Sequence, residues 1–326
     1  MVSIPLNDSR PASAAPSGRT VLITGATGFI GTHLVRRLLA RGDALIVLTR
    51  SPARARKLLG QLVQINGELA TLSASTPIDA IVNLAGARIL GLPWTRARRA
   101  VLMGSRIGTT KALVALGERL ERRPRVLVSA SAIGYYGVHG DEPLDERAAP
   151  QPIFQSTLCQ QWEQAASAAE HVGIRTVTLR LGLVLGRDGG ALPALARPVR
   201  MGLGAIIGTG RQWLSWIHID DTVRLIEFCL DSAALRGAVN AVAPGAVTQR
   251  AFQQQLAATL HRPLWLRIPG PLLRAAMGEM AQLLVDGQRV VPAQASAAGF
   301  QFRYHDLGAA LQQLLGRRMP ADQQQS

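Results

Sequence analysis

Three glycines, Gly25, Gly28 and Gly31, recur at three-residue spacing in Thr24–Gly31, TGATGFIG. They follow a β-branched apolar run, Thr20–Thr24 (TVLIT), and open a segment with Ile30, Leu34, Val35, Leu38 and Leu39 at helical spacing, stopped by Gly42. A strand that turns on glycines into a helix can seat a pyrophosphate. The glycines let the backbone turn sharply and approach the phosphates, and the helix N-terminus offers free N–H groups and partial positive charge. Such a turn can also be purely structural; its place after the first strand of a βαβ frame selects the binding reading. Thr27, Phe29 and Ile30 share the turn and count with Gly25, Gly28 and Gly31 as cofactor-binding candidates.

A carboxylate at the end of the next strand would bind the 2′-hydroxyl of NAD, whereas an arginine there accommodates the 2′-phosphate of NADP. The sequence has Thr49, Arg50 and Ser51 at that place, with Arg54 and Arg56 close by and no acid between Asp43 and Glu68. The expected cofactor is NADP(H).

The elements that must hold this site alternate. Ala44–Thr49, Ile78–Leu84, Val126–Ser131 and Arg175–Leu181 read as strands. Phe29–Arg41, Pro52–Leu62, Arg96–Leu120 and Gln155–His171 read as helices. Alternation at this length predicts an α/β fold with a doubly wound parallel sheet, the Rossmann fold, over residues 19–263. Gly186–Arg211 breaks the rhythm with seven glycines and two prolines, and is expected to be a substrate loop that covers the site. Beyond Pro263 the Leu/Ala/Gln-rich composition predicts a small, mostly helical C-terminal domain over 264–318. Residues 1–18, rich in Pro, Ala and Ser, read as a flexible tail rather than a signal peptide, and 319–326 as a frayed end.

Composition narrows the function classes. The 326 residues are 48% apolar with no run long enough to span a membrane, so no membrane partner is expected. Two cysteines, Cys159 and Cys229, exclude a disulfide scaffold and a cysteine zinc site, and the histidines show no ligand spacing, so no metal is expected. The compartment these features fit is the cytoplasm. Net charge is +15, yet no aromatic-interleaved basic motif or recognition-helix pattern accompanies it, so no nucleic acid is expected. The charge is concentrated in Thr95–Arg125, where nine basic residues face only Glu118 and Glu121. That stretch is either a solvated helix face or a field that draws in a small anionic ligand.

TGATGFIG, Asn83–Gly86 (NLAG) and Ser129–Gly137 (SASAIGYYG) together resemble the extended short-chain dehydrogenase/reductases, the NAD-dependent epimerase/dehydratase superfamily. Gly104–Thr110 (GSRIGTT), Leu179–Gly190, Gly210–Asp221 and Gly287–Pro292 resemble one subgroup of oxidoreductases with a C-terminal domain of unknown function. The resemblance covers about Arg19 to Leu315. It implies cofactor contacts at Thr49 and Arg50, at Leu84 and Ala85, at Arg106 and at Val184, with Asn83, Gly86 and Ser129 in the flanking motifs.

In that superfamily a serine after the fifth strand works with a Tyr-x-x-x-Lys pair whose lysine tunes the phenol as acid or base. Ser131 fits the serine. The pair is absent, because both lysines, Lys57 and Lys111, precede all three tyrosines. Counting back from Glu163 places Cys159 at the lysine position and Gln155 at the tyrosine position. Tyr135 and Tyr136 are the nearest phenols, so Ser131, Tyr135 and Tyr136 are the catalytic candidates. His218 with Asp220 and Asp221 reads either as a His–Asp pair or as a sheet-edge support, and Trp213 and Trp216 as cavity lining or as packing. The expected function is NADP(H)-dependent oxidoreduction of an unknown small carbonyl or alcohol, with epimerase-like chemistry as a variant, by a monomer or homodimer. The alternative is an NADPH-binding sensor without turnover.

Overall fold

The computed structural model describes residues 18–89, 91 and 93–316, so the expectations for both tails lie almost wholly outside the described residues. Seven strands form one parallel sheet: β1 (Thr20–Thr24), β2 (Ala44–Leu48), β3 (Val63–Asn66), β4 (Ala80–Asn83), β5 (Val126–Ala132), β6 (Arg175–Leu181) and β7 (Gly237–Ala241). Their spatial order is β7-β6-β5-β4-β1-β2-β3, so winding reverses between β1 and β4 and opens a crevice at their C-terminal ends. The expected doubly wound fold is present. The two edge strands, β3 and β7, are the strands of this sheet that sequence reading did not mark.

Both faces of the sheet are covered, which is why its strands are apolar without alternation. Val21 and Ile23 pack with Leu34 and Leu38 of α1 (Phe29–Ala40). Leu22 and Leu127 point the other way, onto Leu113 and Leu116 of α4 (Thr109–Arg119). Between these two helices the chain forms α2 (Pro52–Leu59) and α3 (Arg96–Met103). The expected single helix over Arg96–Leu120 is α3 and α4 joined by one π-helical turn, Gly104–Gly108. Helix α5 (Phe154–Ser167) follows β5 and brings Trp162 and Cys159 into the interior.

Gly186–Arg211 is not a plain loop. It contains α6 (Leu192–Arg200) and a short strand, Ala205–Ile207, whose apolar residues Leu192, Ala196 and Val199 are buried. Pro193 in the first helical turn is compatible with a helix start, and the glycines on either side concealed that helix in the sequence. Helices α7 (Ile219–Asp231) and α8 (Gln249–Thr259) flank β7 in sequence.

The chain beyond Pro263 is mostly helical: α9 (Gly270–Met277), α10 (Gln282–Val285), α11 (Ala293–Ala297) and α12 (Leu307–Leu315). It packs into the body of the protein. Leu266–Ile268 pairs with Ala205–Ile207, and Arg289–Val290 pairs with Pro143–Leu144. Leu307 and Leu311 share a cluster with Trp216 and Phe252, while Phe300 and Phe302 join the α1 face of the core.

Candidate cofactor and active site

The Gly25–Gly31 turn lies at the crevice between β1 and β4, and its glycines are required by contact. Gly25 has φ +69°, and a Cβ there would lie 2.5 Å from the carbonyl oxygen of Leu84. A Cβ on Gly31 would overlap the Gly25 carbonyl and come within 2.6 Å of Ala26 Cα. The turn is thus pressed between the β4 exit and its own helix. Gly28 is exposed at the start of α1, in extended conformation with no side-chain cap, so the first helical N–H groups stay available. No acidic residue stands in the first turn of α1 to occupy that positive end. Close-packed backbone at Gly25 and Gly31 and an uncapped helix start at Gly28 fit a dinucleotide pyrophosphate.

Candidates around the turn divide into those that face the crevice and those that support it. Phe29 directs its ring under Gly186, Gly189 and Gly190, where any side chain on those glycines would strike it. Ile30 packs against the core. Thr27 is half-buried at the turn, as are Leu84 and Ala85 across from it, and Gly86 is exposed. Val184 is buried in Leu183–Leu185, which pairs with Trp216–His218, and its carbonyl accepts a hydrogen bond from the Ala191 N–H at 3.0 Å.

The side chains of Asn83 and Ser129 face the interior, which leaves their backbone to meet a cofactor. Both are fully buried. Asn83 accepts from Thr24 Oγ1 at 2.7 Å, donates to Thr110 Oγ1 at 2.8 Å and lies 3.2 Å from Ser129 Oγ. Trp162 Nε1 also donates to Thr110 Oγ1, at 3.1 Å. This interior network ties β1, β4, β5, α4 and α5 together and fixes the NLAG turn; the amide is fully used before any ligand arrives.

At the end of β2, Thr49 Oγ1 accepts from the Ser51 N–H at 3.2 Å, while Arg50 and Ser51 are exposed. Among the described residues Arg50 meets no carboxylate. A free guanidinium at this place suits a 2′-phosphate.

Ser131, next to last in β5, is buried; its hydroxyl donates to Glu163 Oε1 at 2.6 Å. Glu163 in turn receives two hydrogen bonds from Arg180, Nε to Oε1 at 2.9 Å and Nη2 to Oε2 at 2.8 Å. Burial works against the charge of Arg180, but the hydrogen bonds and field of Glu163 outweigh it and hold the guanidinium above its ordinary value. Sequence reading used Glu163 only to count positions and did not single out Arg180. No local motif announces the pair, because its members meet only when α5 packs on β6.

Tyr136 is corrected as a catalytic candidate. It is fully buried, donates to Asn240 Oδ1 at 2.6 Å and accepts from Arg180 Nη1 at 3.0 Å. Burial pushes its phenol up to about 12 despite the nearby guanidinium. Tyr135 is half-buried with the Arg180 guanidinium 3.4 Å from its ring centre. It lines a cleft of about 450 Å³ with Glu163, Thr176, Gly237 and Ala238. Thr178 and Arg180 line it too, so the cleft runs along β6 from its N-terminal end to the Glu163–Arg180 pair.

Gln155 and Cys159 occupy successive turns of α5 beside Gly134, whose missing side chain would lie 3.7 Å from Gln155 Cβ and 3.9 Å from Cys159 Sγ. Burial pushes the Cys159 thiol up to about 12, so it is a neutral group at ordinary pH. The Gln155 side-chain oxygen is buried without a hydrogen-bond partner. Arg106 lies in the π-helical turn and bonds the Leu102 and Ala87 carbonyls at 3.2 and 3.0 Å.

The remaining candidates make contacts that hold the fold. His218 caps α7 by accepting from the Asp220 N–H at 3.0 Å, contacts Gln313 at 3.0 Å through its other nitrogen and stacks on Tyr304. Asp221 receives the backbone N–H groups of Arg303 and Tyr304, which anchors the C-terminal chain. Trp216 is buried with its N–H on the Gly245 carbonyl, and Trp213 donates to Asp141. Among the described residues no group of three metal-ligating side chains exists, and no helix is long and apolar enough to cross a membrane.

Comparison with known proteins agrees with this geometry. Residues 21–242 match the model of the NAD dependent epimerase/dehydratase family, and 268–314 match a domain of unknown function, DUF1731. The chain is 38% identical over 300 residues to the epimerase family protein YfhF of Bacillus subtilis, covering 91% of this chain and 98% of that protein. It is 38% identical over 310 residues to an Arabidopsis thaliana protein described as a chloroplastic SDR39U1 homolog, covering 93% and 89%. The crystal structure of human epimerase family protein SDR39U1 with NADPH superposes with a TM-score of 0.82 at 34% identity, covering 91% of this chain and 99% of that one. With this match across most of its length, the chain belongs to the NAD dependent epimerase/dehydratase family.

Proposed function

We propose that the protein is an NADP(H)-dependent oxidoreductase of the extended short-chain dehydrogenase type, acting on a small carbonyl or alcohol. The observation that carries this reading is the backbone cradle at the β1–β4 crevice with the exposed Arg50 beyond β2. The related human protein crystallised with NADPH supports the choice of cofactor. Gly25, Thr27, Gly28 and Gly31 would hold the pyrophosphate, Thr49, Arg50 and Ser51 the 2′-phosphate, and Leu84, Ala85, Gly86, Arg106 and Val184 the remainder. When bound, NADPH supplies a hydride for a carbonyl carbon, and its oxidised form accepts one from a carbinol carbon.

Ser131 is the hydroxyl best placed for the proton. Because it donates to Glu163, the free side of its oxygen is an acceptor, suited to a substrate hydroxyl. Glu163 stands behind it as a carboxylate balanced by Arg180. The cytoplasm is the compartment this reading fits.

One observation favours a second reading, an NADPH-binding sensor. Gln155 and the neutral Cys159 stand where the superfamily carries its phenol and ammonium, and neither exchanges protons near neutrality. The test is NADPH consumption, and NADP⁺ reduction, across a panel of carbonyls and alcohols with Ser131→Ala as control. Turnover lost in the variant with NADPH affinity retained supports the enzyme; tight NADPH binding with no turnover on any substrate supports the sensor.

A further inference from the structure

A proton that Ser131 gives or takes must be exchanged with solvent, and Ser131 itself is only 2% exposed. Its polar contacts continue inward in one direction. Ser131 Oγ donates to Glu163 Oε1 at 2.6 Å, and Arg180 donates to both oxygens of that carboxylate, at 2.9 and 2.8 Å. Beyond the carboxylate the protein opens. Glu163 and Arg180 line the cleft of about 450 Å³ that runs along β6, and none of the cofactor-binding candidates lines it. The cleft has room for several waters, and its wall includes the exposed polar residues Gln164, Ser167 and Glu170.

The other groups near Ser131 do not offer a proton an exit. Burial, and after it the field of Glu163, pushes the Cys159 thiol up to about 12, so it stays neutral. Tyr136 is fully buried, and its phenol is fixed between Asn240 and Arg180. Glu163 differs from both: one carboxylate oxygen meets the serine, and its side chain is 13% exposed where the cleft begins.

From this we infer that Glu163 exchanges the reaction proton with Ser131, and that the cleft along β6 carries that proton between Glu163 and solvent. The inference rests on the proposed oxidoreductase reading and adds the route by which its proton enters or leaves. In alcohol oxidation the substrate O–H bond breaks and its proton passes to Ser131 Oγ, while the serine proton passes to Glu163 Oε1. The electron pair of that O–H bond completes the carbonyl as the carbinol hydride goes to the oxidised cofactor. Glu163 then releases its proton to water in the cleft. Carbonyl reduction runs each transfer in reverse. Arg180 is a positioning residue: its two hydrogen bonds hold the carboxylate toward the serine and favour its ionised form between turnovers.

One test needs neither cofactor nor substrate. In Glu163→Ala the place of the carboxylate opens onto the cleft with the Arg180 guanidinium unpaired, so sodium formate should bind there saturably. It should raise the melting temperature of the cofactor-free variant more than sodium chloride at equal ionic strength does, and should not do so in the parent. Formate that stabilises folded Glu163→Ala no more than chloride overturns the inference, because the cleft then does not reach the carboxylate. The second test is turnover on the carbonyl and alcohol panel, and it decides alone if Glu163→Ala does not fold. Glu163→Gln keeps the size of the side chain but cannot take the proton, and should slow turnover by roughly 10²-fold or more with NADPH affinity unchanged. Glu163→Asp should recover part of the rate, and formate should restore turnover to Glu163→Ala. Ala238→Leu, which narrows the cleft away from Ser131, should also slow turnover. Parental rates in Glu163→Gln overturn the proton exchange, and parental rates in Ala238→Leu overturn the route. A parent protein that turns over no member of the panel defeats the oxidoreductase reading itself, and the inference falls with it.

Discussion

Ser131 donates its hydroxyl hydrogen to Glu163 at 2.6 Å, and Glu163 is locked by two hydrogen bonds to the buried Arg180. This relationship orients the serine oxygen with its acceptor side free, and makes a carboxylate on α5, rather than a phenol, the serine's partner. In Glu163→Ala the Arg180 charge is left without its carboxylate in a site where its side chain is only 4% exposed. Loss of such a partner costs about 3–5 kcal/mol, so urea unfolding should show a fall of that order. Unchanged stability would show that water readily solvates Arg180.

Ser131→Ala should lower any turnover by roughly 10²–10⁴-fold, the usual contribution of a positioned proton-transfer group, while NADPH affinity holds. Tyr135→Phe, by contrast, should change turnover little, because the contact it makes is its ring face on the Arg180 guanidinium, which phenylalanine keeps. Steady-state kinetics on both variants checks this; a large Tyr135→Phe effect would return the phenol to the chemistry.

Arg50→Ala should weaken NADPH by roughly tenfold to a hundredfold, the loss of a hydrogen bond to a charged group, and leave NADH nearly unchanged. Fluorescence titration of both cofactors measures it. Equal wild-type affinities for the two would contradict the role of Arg50.

Gly31→Ala should damage cofactor binding and stability together, because its Cβ would meet Gly25 O and Ala26 with no flexible side chain to yield. Overpacking of this kind costs about 1–3 kcal/mol. Gly60→Ala is a useful contrast: its Cβ meets nothing within 4 Å, though its φ of +75° still strains an alanine. Denaturation alone would therefore fall in both, and cofactor affinity only in Gly31→Ala.

Alkaline stability should decline early. Cys159, Cys229 and Tyr136 are each pushed up to about 12 by burial. The unfolded chain releases the thiol protons from about pH 8.5 and the phenol proton from about pH 10, while the folded protein retains all three. Stability is then full below those values and falls as pH rises toward 12. Urea midpoints measured from pH 7.5 to 10 should drop less steeply in Cys229→Ala than in the parent.

What the sequence determined by itself is local. TGATGFIG declares a glycine turn between a strand and a helix, because that geometry is written in consecutive residues. Arg50 without a neighbouring acid, and the absence of Tyr-x-x-x-Lys, are likewise facts of order and spacing. What only the tertiary structure decided is which side chains remain free. Asn83 and Ser129 look like ligand contacts in their motifs, yet Thr24, Thr110 and each other consume their polar atoms. Tyr136 and Tyr135 are adjacent, yet one is fixed on Asn240 and the other lies under Arg180. Helix α6 was hidden by the glycines around it, since its stability comes from burying Leu192 and Val199 against α8 and α12 rather than from propensity. Glu163, Arg180 and Ser131 are far apart in sequence, and hydrogen-bond direction among them has no local code; it is set when α5 docks on β5 and β6, where burial leaves each polar atom a single place to go.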